Sequence, residues 1–364
     1  MYDLIVIGGG PAGTSAAIHA ARGGARVLLL ERGKFPRQKV CGEFVSAESL
    51  GLLTSLLDSA YRALMRGAVS IPLVRVFLDG RTLRTKITPP AASIARFDLD
   101  AALWASAQHA GVDAQQAVTA HSVAGTGPFR LATSAGEFEG RALVNASGRW
   151  SKLNTLPANG GEREKWLGLK AHFAEPFPES SVDLYFFDEG YCGVQPVTLQ
   201  DGHSHRGRVN ACAMVRADSA TKLPEVLAFH PALRERSRSW QVISEPISTS
   251  PLIFQRPQPT KDNVLMAGDA AGFVDPFVGD GISLALRSGR LAAQSLAPYF
   301  AGAASLDQSV RKYHTGYEET LLPVFRTSCW IRQALRWPKM ARRPVLSVLE
   351  KSPALTRQLV RSTR

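Results

Sequence analysis

Three glycines and one acid near the start of the chain carry its clearest chemistry. Gly8, Gly10 and Gly13 form G-x-G-x-x-G directly after the apolar run 4–7, and Glu31 closes a second apolar run over 26–30. Each position has its own task. Gly8 permits a tight turn, Gly10 admits a diphosphate against the backbone, and Gly13 lets helix and strand pack closely. Pro11 and Ala12 open an alanine-rich stretch whose free N–H groups and positive dipole end face an anion. Glu31 is placed to accept hydrogen bonds from ribose hydroxyls. The spacing predicts a dinucleotide-binding βαβ unit.

A second segment, VLMAGDAAGFVDPFVGDGISLALRSG over 264–289, places an apolar strand ahead of Gly268-Asp269. Asp269 can accept from a ribityl or ribose hydroxyl. Asp275-Pro276 and Gly279-Asp280-Gly281 then make a turn that opens a long helix, with its amide end toward an anionic group.

Between these segments the pattern predicts a helix over 47–57, short strands over 69–88 around Asp79-Gly80, and a helix over 98–110. Alternating strands with glycine turns follow over 112–145 and lead into Ala146-Ser147-Gly148. Aromatic and β-branched residues over 166–216, with turns at Glu189-Gly190 and Asp201-Gly202, predict antiparallel sheet. A strand over 263–267 and a helix over 281–299 return to the first pattern. A parallel fold is thus interrupted by an antiparallel insertion, with a ligand expected between the two.

The 364 residues, 45% of them hydrophobic, suffice for one large or two intermediate domains. The first strand begins almost at Met1, which leaves no room for a leader, and no apolar run reaches the ~18–20 residues of a membrane span. Cys41, Cys192, Cys212 and Cys329 form no C-x-x-C pair, and no metal spacing is present. A reduced, cytoplasmic location is expected. Of the net charge of +12, nine units fall in 326–364, which holds ten Lys/Arg against Glu350. With the rest of the chain near neutrality, a general nucleic-acid surface is not expected.

Together, GGGPAG, Gly268-Asp269 and the Asp275–Gly281 turn resemble the FAD-dependent oxidoreductases of the aromatic-hydroxylase superfamily, nearest its geranylgeranyl-reductase-like and halogenase-like branches. The likeness covers roughly 1–325. It implies an α/β fold: a Rossmann-like FAD-binding domain of the GR2 type (1–70, 96–150 and 256–325) interleaved with an antiparallel-sheet substrate domain (71–95 and 151–255). Basic amphipathic helices would follow over 326–364. FAD is the implied cofactor, reduced by transient NAD(P)H or an external reductant, since no second G-x-G-x-x-G is present. The implied contacts are Gly8, Gly10, Pro11, Ala12, Gly13, Glu31, Arg32, Arg37, Cys41, Gly42, Arg96, Ser147, Gly148, Gly268, Asp269, Pro276, Gly279, Asp280, Gly281 and Ile282. Cys41, in Lys39-Val40-Cys41-Gly42-Glu43, resembles the Cys-Gly element of the reductases.

The chain departs from those families at three places. Ser147-Gly148, in Asn145-Ala146-Ser147-Gly148-Arg149-Trp150-Ser151, replaces the Asp-Gly pair of the hydroxylases. In Gly190–Pro196, Tyr191 and Pro196 match the reductases' Tyr-x-Trp-x-Phe-Pro, while Gly193 and Gln195 replace its large apolar members. No equivalent of the halogenase lysine is found. Tyr185, Phe187, Tyr191 and Pro196 are the predicted substrate contacts. Cys41, Lys170 and His172 are the predicted catalytic residues, the last two sharing one strand face that meets either cofactor or solvent.

The reading that results is an enzyme acting on a hydrophobic small molecule (prenyl-like, aromatic or polyketide), with hydride transfer at flavin N5 favoured. A monooxygenase working through a C4a-hydroperoxide, or a non-catalytic membrane-associated electron carrier, is the alternative. In the tail, Trp330, Ile331, Ala334, Leu335 and Trp337 share one helical arc opposite Arg332, Arg336 and Lys339, and Pro338 ends that turn. The arc predicts either peripheral membrane contact or packing of the tryptophans on the domain.

Overall fold

The computed structural model describes residues 1–149, 153, 165–198, 207–249 and 252–363. Trp150, Ser151 and the predicted Asp201-Gly202 turn lie outside the described residues.

Two sheets carry the fold. In the first, strand Tyr2–Ile7 runs parallel between Val27–Glu31 and Gly136–Asn145, flanked in turn by Asp113–Gln116 and Val264–Met266. Its central residues, including Leu4, Ile5 and Leu28, are fully buried, as a parallel sheet covered on both faces requires. Ile7 pairs with both Leu30 and Asn145, and Asn145 pairs with Met266. The chain therefore leaves these strands at one edge, at Gly8, Glu31, Ala146 and Ala267. That carboxyl edge is where open α/β sheets bind ligands.

Helix Pro11–Arg22 starts at this edge, with Gly10 as its N-cap and Pro11 at the first position. It packs on helix Gly281–Phe300, and the Ser15 hydroxyl donates to the Leu286 carbonyl at 2.8 Å. The predicted glycine spacing is enforced by sterics. Gly8 has φ +105°, and a Cβ on Gly13 would stand 1.8 Å from the Gly8 carbonyl oxygen. No other residue fits both positions.

In the second sheet, Trp166–Ala174, Arg208–Arg216, Gly190–Pro196 and Ser181–Phe187 pair antiparallel in that spatial order. The predicted short strands over 69–88 are instead one long hairpin, Val69–Leu78 with Arg81–Ser93. Ser181–Phe187 joins that hairpin in parallel, an exception to the antiparallel expectation. Pairing between segments more than a hundred residues apart leaves no local pattern to read. Arg75 sits opposite Asp183 in this pair, its Nε 2.7 Å from Oδ1. Arg236 contributes a second cation to the same buried carboxylate at 2.5 Å.

The tail forms helices Leu322–Leu335, Lys339–Lys351 and Pro353–Arg361, with Pro338 between the first two. No helix among the described residues is long and apolar enough to cross a membrane.

Candidate functional site

A cavity of about 690 Å³ opens at the carboxyl edge of the parallel sheet and reaches the second sheet. Its size falls within the range of pockets that hold small molecules and cofactors. All of the predicted cofactor contacts line it except Gly13, which packs against Gly8 behind the wall, and Asp280. Asp280 is buried and accepts from the Ser46 hydroxyl at 2.8 Å, so it holds the turn rather than facing the cavity.

Glu31 anchors one part of the wall. Oε2 accepts from Gly9 N at 2.8 Å, and Oε1 accepts from Gly33 N at 2.7 Å and from the Arg37 guanidinium at 2.6 Å. Burial opposes its ionisation, but Arg37 and the two amides outweigh that and keep the carboxyl below its usual range. Gly10, Gly42, Gly148 and Gly281 all line the cavity, and a Cβ on any of them would meet no protein atom within 4 Å. These four positions leave bare backbone around open space, which side chains would fill. The first turns of two helices, at Gly10–Pro11 and at Gly281–Ile282, also reach this wall, as an anionic diphosphate requires. Residues and cavity therefore fit FAD.

Asp269 faces Arg149, whose Nε lies 3.6 Å from Oδ2. Burial pushes the Asp269 carboxyl up and the Arg149 guanidinium down. The Arg149 cation also lies 4.2 Å from the centre of the Phe273 ring. Arg149 was not among the predicted contacts. Its position follows from the strand ending at Asn145, which aims the next residues at the cavity.

Among the predicted substrate contacts, Tyr191 lines the cavity, whereas Tyr185, Phe187 and Pro196 do not. Alternation along a strand explains this. Tyr191 pairs with Phe186 across Ser181–Phe187, and their rings lie 5.4 Å apart. Tyr185 and Phe187 therefore point to the opposite face. There Tyr185 stacks on Phe77 at 4.4 Å and Phe187 packs on Phe229 at 5.3 Å. Pro196, five residues beyond Tyr191, likewise falls on the far face and is buried.

The Tyr191 hydroxyl donates to Asp275 Oδ1 at 2.8 Å, and Arg332 Nη1 donates to Oδ2 at 2.9 Å. Burial pushes the Asp275 carboxyl up against the pull of Arg332. Burial and the neighbouring Asp275 push the Tyr191 phenol well above its ordinary value. Arg332 belongs to the tail helix Leu322–Leu335, and its guanidinium lies 3.4 Å from the centre of the Phe254 ring. Of the two arrangements expected for the tail, this excludes packing of the tryptophans on the domain. The arginine turns inward, while Trp330 and Trp337 are 55% and 45% exposed.

Cys41 lines the cavity, but Lys170 and His172 do not, and neither is solvated. Both side chains are buried against the Glu43 carboxylate, Lys170 Nζ at 2.5 Å from Oε1 and His172 Nε2 at 2.8 Å from Oε2. Glu43 was quoted with Cys41 but not singled out as a site residue. Two polar side chains alternating on an otherwise apolar strand were the signal that a buried anion had to face them.

A family model described as FAD dependent oxidoreductase matches residues 3–42. A menaquinone reductase of Mycobacterium tuberculosis is 28% identical over 319 residues, covering 81% of this chain and 76% of that protein. A digeranylgeranylglycerophospholipid reductase of Methanothermobacter thermautotrophicus is also 28% identical, over 80% of this chain and 77% of its own length. Among solved structures, a flavin-dependent brominase aligns with a TM-score of 0.76 at 20% identity, covering 100% of this chain and 93% of that one. A geranylgeranyl bacteriochlorophyll reductase-like protein from Thermoplasma acidophilum aligns equally well, at 0.76 and 19% identity, covering 100% of this chain and 95% of that one. At such identities the solved structures speak for the fold alone. The family model and the relatives, both oxidoreductases by name, point to FAD-dependent oxidoreductase chemistry, and the solved structures share the fold.

Proposed function

We propose that the enzyme reduces a hydrophobic, isoprenoid-bearing lipid, either a quinone ring or a carbon–carbon double bond. One observation carries this reading. The cavity wall formed by Tyr191, Met214, Leu252 and Phe273 is continuous with an apolar cluster that includes Phe186, Phe254 and Phe277. Such a wall accepts a long apolar molecule and excludes water. The named relatives reduce menaquinone and geranylgeranyl compounds, which are of that class.

Bound FAD would supply the two-electron chemistry. The chain supplies the rest. Gly8–Ala12, Glu31 and Arg37 bind the nucleotide, while Asp269 and the Pro276–Ile282 turn orient the remainder. Tyr191, whose proton is held by Asp275, presents a phenolic oxygen at the substrate wall, where it can accept from a hydroxyl such as that of a quinol.

The tail is proposed to seat on an anionic lipid surface from which such a substrate is drawn. Trp330, Trp337, Met340, Val345 and Val348 are exposed there beside exposed Arg326, Arg343 and Lys351. Tryptophan and methionine backed by cations suit the headgroup region.

The test is anaerobic reduction of the purified protein, followed by addition of menaquinone, geranylgeranyl lipid or a short aromatic compound. Reoxidation by an isoprenoid compound, with a product two hydrogens heavier by mass spectrometry, is expected. Reoxidation by oxygen alone, with an oxygenated product, would overturn the reading in favour of a monooxygenase.

A further inference from the structure

Glu43 joins four parts of the molecule from a strained backbone position. Its φ is +61°, in the left-handed region that a non-glycine residue adopts only where its surroundings demand it. Its N–H donates to Cys41 Sγ at 3.3 Å, and its carbonyl accepts from Ile94 N at 2.9 Å. The carboxylate accepts from Lys170 and His172 of strand Trp166–Ala174, and Oε1 also accepts from Arg96 N at 2.9 Å, at the first turn of helix Arg96–His109.

Cys41 and Arg96 both line the cavity, and the Arg96 guanidinium reaches the Cys41 thiol. Asp100 holds that guanidinium at 2.7 Å through both Nε and Nη2. Asn210 Nδ2 donates to the Cys41 carbonyl at 3.0 Å. Lys170 Nζ lies 3.3 Å from Gln38 Oε1, and Gln38 and Cys212 also line the cavity. Burial alone would push the Glu43 carboxyl up, but Lys170 and His172 overcome this and hold it below the usual carboxylate range.

We propose that Glu43 is a positioning residue that presents the Cys41 thiol and the Arg96 guanidinium together at the cavity wall, and that Glu43 and Lys170 balance each other's charge beside the bound flavin, so that losing either one alone shifts its electron affinity. The proposal rests on the FAD reading above. Adding electrons to the cofactor adds negative charge, so an unbalanced buried charge nearby shifts its potential, and a balanced pair leaves it poised. A merely structural pair would alter stability without giving the two partners opposite effects on potential.

The experiment is dye-equilibrated reduction of the holoenzyme, wild type against Glu43→Gln, Lys170→Met and the double variant. Loss of the carboxylate is expected to move the midpoint potential to more positive values. Loss of the ammonium is expected to move it to more negative values, and the double variant to lie close to wild type. Single variants that leave the potential in place, or move it in the same direction, overturn the proposal while the FAD reading stands. A wild-type protein that takes up no FAD overturns both.

If Glu43→Gln does not retain flavin, iodoacetamide labelling of the flavin-free full chain carries the positioning claim, with exposed Cys329 as the internal standard. Labelling of Cys41 relative to Cys329 rises in Glu43→Gln if Glu43 holds the turn. An unchanged ratio overturns it.

Discussion

Two buried glutamates line the same cavity and are held in opposite ways. Glu31 is satisfied by neighbours close in sequence or on the adjoining glycine turn: Gly9 N, Gly33 N and Arg37. Glu43 is satisfied by Lys170 and His172, more than 120 residues away on strand Trp166–Ala174, and by the start of a helix at Arg96. The first arrangement leaves a carboxylate on a preformed glycine turn. The second ties the turn ahead of strand Phe44–Val45 to the distant strand Trp166–Ala174 of the same sheet and to helix Arg96–His109, and its charges balance only when the whole fold is assembled. The proposed nucleotide-binding part of the site is thus a local device, while the part proposed to tune the flavin is a product of tertiary register.

The sharpest way to break this comparison is at the glycine turn. Gly13→Val should fail to fold, because even a Cβ there overlaps the Gly8 carbonyl oxygen. Gly10→Val should fold with wild-type circular dichroism and yet purify colourless, because its side chain enters only the open cavity. Retained flavin in Gly10→Val would contradict the placement of the diphosphate.

The next largest effect is expected at the distant glutamate. Lys170→Met leaves Glu43 buried without its cation and should cost about 3–5 kcal/mol of stability in denaturant unfolding. Its acid dependence has a definite sign. Glu43 titrates lower in the folded state than when unfolded, so its contribution is fully present above about pH 4.5 and is lost as pH falls through the folded value. Thermal midpoints measured from pH 5 downward should therefore fall less steeply in Glu43→Gln than in wild type. Parallel curves would remove Glu43 from the account.

Arg332→Ala should be milder, at roughly 1–3 kcal/mol, because Asp275 can take up a proton when its cation is lost. FAD content should hold while KM for the lipid rises, since Asp275, the partner of the Tyr191 hydroxyl, is no longer held by Arg332. The smallest effect is expected on the surface. Replacing Trp330 and Trp337 by serine should lower co-sedimentation with anionic vesicles and leave flavin content unchanged. Undiminished sedimentation would remove the tail from the lipid surface.

These expectations follow the line between what local pattern discloses and what it does not. The strand–glycine–helix unit, the Asp269 strand and the long helix after Gly281 were legible because spacing alone constrains them. The faces of Ser181–Phe187 were not. A shift of one residue in pairing exchanges every side chain between core and cavity, so Phe186 rather than Tyr185 accompanies Tyr191. Lys170 and His172 were rightly seen to share a face, but the anion that buries them comes from a turn that no periodicity connects to their strand. Arg332 turned inward, against the expectation that the tryptophans pack on the domain, for a related reason. An arginine beside tryptophans looks like the outer, polar side of a helix until Asp275 and Phe254 are brought beneath it.

The central claim is that this cavity seats FAD against the glycine turn and Glu31. The most direct measurement is the flavin released by heat from the purified full chain, quantified against protein after incubation with excess FAD and gel filtration. One FAD per chain is the predicted result. A chain that stays colourless and leaves the fluorescence of added FAD unchanged would contradict the account.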